Sequence, residues 1–409
     1  MVHQTMRISS KPAPNASSKM SHMRRLLYVM AMGGIVGMLM SCATRTAQWP
    51  SPAPLPTPSP GTSSLPSPAH PPATSVPPPR PVEPGIGVAV PVSWSDLPGW
   101  RDAPLDPVWG VLLRNCERPT EAVALLCADV RRLSIADDAQ RRQWMESRLQ
   151  PHRLQAESGV SEGLLTAYYE PVLEASRERK PGFEVPLYLP PAELASGTSR
   201  TPWFTREEID TRADVRARLK PMAWLADPVD ALVLHIQGSG RLRFKEASGS
   251  TTEVGVRFAA SNNQPYRSVG RALLDARELT DASWPGIQAW FARNPGRAQS
   301  FMWTNPRYVF FKETPITEPE LGPPGAQGVP LTAMRSIAVD PRAVPYGAML
   351  WLHTRGSDLS LSQLVVAQDT GSAIVGAVRA DLFAGTGTQA GALAGRIKQP
   401  LWLWVLKPR

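Results

Sequence analysis

The chain has 409 residues, 42% of them hydrophobic, and a formal net charge of +9. That leaves room for one large or two ordinary domains with a proper core. Five basic residues (Arg7, Lys11, Lys19, Arg24, Arg25) and no acid fall within positions 1–41, so the remainder carries only +4 and does not have the charge of a nucleic-acid binder.

The first predicted element is a targeting segment. Arg24 and Arg25 precede the apolar run "LLYVMAMGGIVGMLMSC", which ends at Cys42. A basic start, a short apolar stretch and a small residue before a cysteine describe a secretory signal over residues 1–41. The run is short for a membrane span, although an uncleaved anchor helix is the other reading. Leu39-Met40-Ser41-Cys42 resembles a bacterial lipobox, in which Cys42 is lipidated and becomes the first mature residue. Residues 42–91 follow as a tether, dense in Pro, Ser, Ala and Thr from Pro50 to Pro84. Such a stretch favours polyproline II and cannot form a core, and at ~3.1 Å per residue it reaches roughly 100 Å. The bland reading, a passive linker, is compatible with that.

The folded part is expected to begin near Val92, with residues 100–155 helical by apolar spacing. Cys116 and Cys127 lie in "WGVLLRNCERPTEAVALLCADVRRL", which reads as two helices broken near Pro119. In an exported protein two remaining cysteines suggest a disulfide stapling that hairpin; two buried free thiols are the alternative. There is no CxxC and no HExxH, so no zinc site is expected. Beyond residue 155 the period shortens. "LLTAYYEPVLEAS", "FEVPLYLP", "VDALVLHIQGSGRLRF", "TTEVGVRFAA", "RYVFFKE", "MRSIAVD", "AMLWLHT", "LVVAQD" and "LWLWVLK" read as β-rich runs bounded by Gly, Pro or Asp. "YRSVGRALLDAREL" and "SWPGIQAWFARN" read as helices between them. The fold class expected is mostly β with a helical N-terminal section.

Two acids stand in the glycine-rich stretch "VVAQDTGSAIVGAVRADLFAGTG". Asp369 ends an apolar strand and is followed by Thr-Gly-Ser, which is either an Asx turn or the loop of an aspartic protease. Protease chemistry needs two such loops, and the chain has one. Asp381 lies between Arg379 and Phe383. A carboxyl held against apolar groups has a raised pKa and is suited to give a proton near neutral pH; the competing reading is a surface pair with Arg379. "TAYYEP" brings Thr166, Tyr168 and Tyr169 together, and "QGSGR" puts Gln237 and Ser239 in a glycine-flanked turn. Amides, hydroxyls and aromatic rings on turns suit a carbohydrate groove, although each has an ordinary structural explanation. "GSGR" has the wrong spacing for a serine nucleophile elbow.

These stretches, with "TAYYEPVLEASRERKPGFEVPLY", "QPYRSVGRALLD", "NPRYVFFKE" and "VPLTAMRSIAVDPRAVPYGAML", resemble the membrane-bound lytic murein transglycosylase A family over most of residues 160–409. The resemblance implies a double-psi β-barrel from residues 92–175 and 313–409, with a second β domain, 176–312, inserted as the other wall of a glycan groove. By position Asp381 matches the catalytic acid and Asp369 a second groove aspartate, with Thr166, Tyr168, Tyr169, Gln237 and Ser239 on substrate-binding motifs. Family members often have Gly where this chain has Ser372 and Lys where it has Val375. The implied reaction cleaves the β-1,4 bond between N-acetylmuramic acid and N-acetylglucosamine to give 1,6-anhydromuramic acid, with one aspartate as acid and then base, and with no metal or other cofactor. The implied partners are peptidoglycan strands, outer-membrane lipid through Cys42 on the periplasmic face, and cell-wall synthesis or divisome proteins; nucleic acid is not among them. A non-catalytic wall-binding lipoprotein and, less simply, an aspartic-type protease using the DTGS loop are the other functions weighed.

Overall fold

The computed structural model describes residues 87–196 and 200–409. The signal segment, Cys42 and most of the tether lie outside the described residues. Strands β1 (Val88–Pro91), β2 (Leu149–Gln155) and β3 (Gly163–Glu170) come first. Six more follow: β4 (Val172–Ser176), β5 (Val185–Tyr188), β6 (Pro221–Leu225), β7 (Ser239–Lys245), β8 (Thr251–Ser261) and β9 (Val309–Thr314). The chain ends with β10 (Ser336–Ala338), β11 (Met349–Arg355), β12 (Ser360–Asp369), β13 (Arg379–Thr386) and β14 (Lys398–Pro408).

The strands form two sheets. One has the order β1-β2-β14-β11-β12-β10-β13-β3, and β14 also pairs with β3, so six of its strands close into a barrel. The eleven-residue β14 makes closure possible: Lys398–Leu401 pair with β3, while Trp404–Pro408 pair with β2. The other sheet has the order β5-β6-β4-β7-β8-β9. Only Pro171 separates β3 from β4, and it breaks the strand where the chain changes sheet. By sheet membership the second sheet holds Val172–Thr314, so the expected boundaries at 175 and 313 cut through β4 and β9. The expected start at 92 also leaves out β1, which pairs with β2.

The barrel strands read as unbroken apolar runs because both of their faces are covered. Leu350, Leu352, Val365, Ala367, Leu403 and Val405 point into the barrel core. The alternate positions Met349, Trp351, Leu364, Val366, Trp404 and Leu406 pack outward against Leu105, Val108, Trp109, Leu112 and Met145. That outer layer is built from the helices Asp106–Asn115, Cys127–Arg132 and Asp138–Arg148. A disulfide joins Cys116, the cap of the first, to Cys127, the start of the second. Residues 149–155, expected to continue the helix, form β2 instead, because Leu149 and Pro151 turn inward beside β14.

A second departure is "VDALVLHIQ", expected as strand. Pro228–Gln237 is a helix. The Asp227 side chain accepts from Val229 N–H at 2.8 Å, Pro228 occupies the first turn, and Gly238 ends the helix at φ 78°. Its apolar residues are buried on several sides, which removes the helical period that would have marked it. Further helices at Val269–Asp275, Trp284–Arg293 and Pro295–Trp303 add another small core. The architecture is therefore sheet-rich but mixed, rather than mostly β.

Candidate active site

Strand pairing builds the site. Parallel pairing of β13 with β3 sets Asp381 beside Thr166 and Phe383 beside Tyr168. On its other edge β13 pairs with β10, placing Asp381 opposite Ala338, and across β10 the same Ala338 pairs with Asp369. The two aspartates thus share a register two strands apart, about 10 Å between their backbones.

Their surroundings differ. The Thr166 hydroxyl donates to Asp381 Oδ1 and accepts from Arg379 Nη2 at 2.8 Å. The arginine therefore fixes which way the hydroxyl proton points. Burial pushes the Asp381 carboxyl above the ordinary aspartate value, and Arg379 and Thr166 pull it only partly back. Asp369 accepts from the Tyr168 hydroxyl on Oδ2 at 2.8 Å and from Ala326 N–H on Oδ1 at 2.9 Å. Burial raises its pKa as well, against those hydrogen bonds and that of Thr370 N–H, while the Asp381 charge adds to the rise. Tyr168 is buried, with its ring 5.4 Å from Phe383. Its phenol is held well above the usual range by burial and then by Asp369, so it remains a donor.

Residues from both sheets line the cleft. A cavity of about 630 Å³ has Gln237, Ser239 and Phe258 on one side and Asp369, Thr370 and Ser372 on the other. A smaller one, about 210 Å³, holds Asp381 and Arg379 against Tyr266, Asn305 and Arg307. Gln237 Oε1 accepts from Tyr169 N–H at 3.0 Å, which ties the end of the Pro228–Gln237 helix to β3. The Tyr169 ring turns the other way, against Gly391, where an added Cβ would come within 2.7 Å of it. Thr166, Tyr168 and Tyr169, expected on the groove wall, thus act on Asp381, Asp369 and Gln237. Ser239 and Gln237 lie on the wall itself. Cys116 and Cys127 sit in the outer helical layer and line neither cavity.

Tyr266 also faces the Asp381 carboxyl across the smaller cavity. Burial raises its phenol, the Ser268 hydroxyl counters that, and the Asp381 charge adds to the rise. Its stretch "QPYRSVGRALLD" carries no local pattern that ties it to residue 381; only the meeting of the two sheets does. Among the described residues no group of three or more His, Cys, Asp or Glu could hold a metal ion. No described helix is long and apolar enough to cross a membrane.

Comparison with known proteins gives a consistent result. A family model described as the MltA specific insert domain matches residues 164–312, and one described as the 3D domain matches residues 335–407. The lytic transglycosylase LtgG of Burkholderia pseudomallei is 39% identical, with 79% of this chain and 97% of that one covered at a TM-score of 0.55. A membrane-bound lytic murein transglycosylase from Agrobacterium tumefaciens is 29% identical, covering 78% and 98%, with a TM-score of 0.67. Membrane-bound lytic murein transglycosylase A of Escherichia coli is 28% identical over 256 residues, which are 59% of this chain and 65% of that protein, a little under two thirds of its length. The chain belongs to the membrane-bound lytic murein transglycosylase A family.

Proposed function

We propose that the chain is a peptidoglycan lytic transglycosylase with Asp381 as its single acid and base. The observation that carries this reading is the contrast between the two cleft carboxyls. Both Asp369 oxygens are occupied by donors of the protein. Asp381 spends only Oδ1 and, among the described residues, keeps Oδ2 without a partner on the cavity wall. Burial raises its pKa and so favours the protonated form that a general acid requires. That proton goes to the glycosidic oxygen between N-acetylmuramic acid and N-acetylglucosamine. As the bond breaks, positive charge develops at C1 of the muramic acid. The 6-hydroxyl of the same sugar then attacks C1 and returns its proton to the Asp381 carboxylate, closing the 1,6-anhydro ring. Ordinary glycosidases divide this work between two carboxyls; an attacking hydroxyl already tethered to the substrate removes the need to hold a water. Asp369 positions the loop around it, and with both oxygens occupied nothing favours a protease.

The parallel pairs β10–β12 and β3–β13 within a closed six-stranded barrel support a double-psi arrangement, with the second sheet as the inserted domain and the other wall. We place the protein on the periplasmic face of the outer membrane, anchored through lipid on Cys42, with glycan strands as substrate and cell-wall synthesis or divisome proteins as partners.

The test is Asp381→Asn. Proton transfer by a positioned side chain is typically worth about 10²–10⁴-fold, and one group serves both steps here, so sacculus solubilisation should fall by at least the upper figure. Because burial penalises the charged carboxylate, the variant should unfold at the same or a higher temperature at pH 7, and any gain should vanish below the ordinary aspartate pKa. A variant with a near-normal rate sinks the assignment.

A further inference from the structure

The second sheet carries its own cavity, about 600 Å³, lined by no residue of the barrel strands. That volume is in the range of small-ligand sites. Trp224 and Trp303 are half-buried on its wall, and among the described residues no protein ring stacks on either. Asp210 Oδ2 accepts from Trp303 Nε1 at 2.9 Å and from Gln299 Nε2 at 3.1 Å, leaving Oδ1 without a partner among the described residues. Behind them is His235, 7% exposed, with its ring 4.3 Å from Tyr308 and 5.5 Å from Phe311. Both its ring nitrogens are buried without a hydrogen-bond partner among the described residues. An unsatisfied buried polar group is costly, and a phenyl ring would fill the same space without that cost. Burial and the nearby Arg206 keep the imidazole neutral, so it offers one N–H and one acceptor.

The charges here are largely committed. Arg206 donates to the carbonyls of Asn305 and Arg307, and Arg216 donates to the Asp210 carbonyl. Arg179 lies over the Trp224 ring, 6.0 Å from its centroid; what stays available is the Trp303 face, a neutral imidazole, an amide and one carboxyl oxygen. These suit a neutral ligand with an apolar face and a rim of hydroxyl and acetamido groups. A peptide rich in carboxylates would meet Asp210 and Glu184 on the same wall, where Arg206 and Arg216 are committed to carbonyls and Arg179 lies over Trp224.

We propose that this cavity is a second glycan-binding site, taking N-acetylhexosamine rings and separated from the cleft by His235, which lies on the wall of both. It rests on the reading that the chain acts on glycan strands. The second site would hold substrate while the cleft cuts elsewhere on the strand.

The experiment titrates the Asp381→Asn protein, which cannot turn the ligand over, with a tetramer of N-acetylglucosamine in a calorimeter. Two classes of site are expected. Adding Trp303→Ala should weaken one of them about tenfold or more and leave the other unchanged. Gln299→Ala should do the same more mildly, and it covers the case in which Trp303→Ala fails to fold. His235→Phe should raise the thermal midpoint yet weaken the second site, a combination that a purely structural histidine would not give. A single class of site indifferent to Trp303→Ala and Gln299→Ala overturns the proposal, as does a stem peptide that binds there in place of the sugar. Wild-type protein on sacculi separates the two readings. Anhydro products with one-site binding would leave the activity standing and this site refuted. Two-site binding without products would do the reverse.

Discussion

Asp369 and Asp381 sit in one cleft, on one face of one barrel, with Ala338 between them. Burial raises the pKa of both. Protein donors occupy both oxygens of the first, while the second is held at one oxygen by a hydroxyl whose own direction is set by a guanidinium. Equal burial therefore does not mean equal role. A carboxyl with no spare oxygen can hold a loop; one with a spare oxygen can exchange a proton.

The comparison can be broken at several points. Thr166→Val removes the one side-chain donor to Asp381 among the described residues and frees Arg379 Nη2, while Arg379 Nη1 keeps the Leu164 and Ala380 carbonyls. A hydrogen bond to a charged group contributes about 1.5–3 kcal/mol, so kcat on sacculi should fall roughly ten- to hundredfold. The alkaline limb of the pH–rate profile should also move up, because a bond that favours the carboxylate is gone. An unchanged profile would remove Thr166 from the mechanism. Asp369→Asn should cost less, roughly the effect of one neutral hydrogen bond of about 1 kcal/mol, since an amide can still accept from Ala326 N–H. A loss as deep as that of Asp381→Asn would mean two catalytic carboxyls.

Tyr168→Phe sharpens the contrast from the stability side. It keeps the ring against Phe383 and leaves Asp369 Oδ2 without its donor. An unfolding titration should show a loss of about 1–3 kcal/mol with a smaller change in rate. The smallest effect concerns the loop between the two aspartates. Asp340 Oδ2 accepts from Gly376 N–H at 2.9 Å, and Asp340 pairs with Arg342 at 2.6 Å. The Arg342 hydrogen bond, helped by Gly376 N–H, lowers its pKa to about 2 against desolvation. A depressed folded pKa gives stability that is present above the ordinary aspartate value and lost as pH falls through the folded one. Asp340→Asn should therefore lower the thermal midpoint at pH 7 by a few degrees, with the gap closing toward pH 2. A gap that persists in acid would assign the effect to packing instead.

Much of this was legible in the chain. Unbroken apolar runs such as "AMLWLHT" and "LWLWVL" mark strands buried on both faces, and they are β11 and β14. Other features were not legible, for physical reasons. The register that puts Asp381 beside Thr166 is a parallel pairing across more than 200 residues, and no local pattern encodes it. The helix Pro228–Gln237 holds the unbroken apolar run Ala231–Leu234 and so resembles a strand; its Asp227, Pro228 and Gly238 caps were the available signal. Tyr168 could be seen as a motif residue but not as the donor behind Asp369. Tyr266 reaches the neighbourhood of Asp381 only because the two sheets face each other.

In the proposed mechanism one carboxyl gives and retakes a proton while the sugar supplies its own nucleophile. Digestion of sacculi in water enriched in heavy oxygen, with the product masses read directly, tests it most plainly. The expected products are anhydro-ended muropeptides, lighter by one water than reducing-end products and free of the label. Reducing ends carrying the heavy oxygen would show hydrolysis, and a second catalytic carboxyl would then be required.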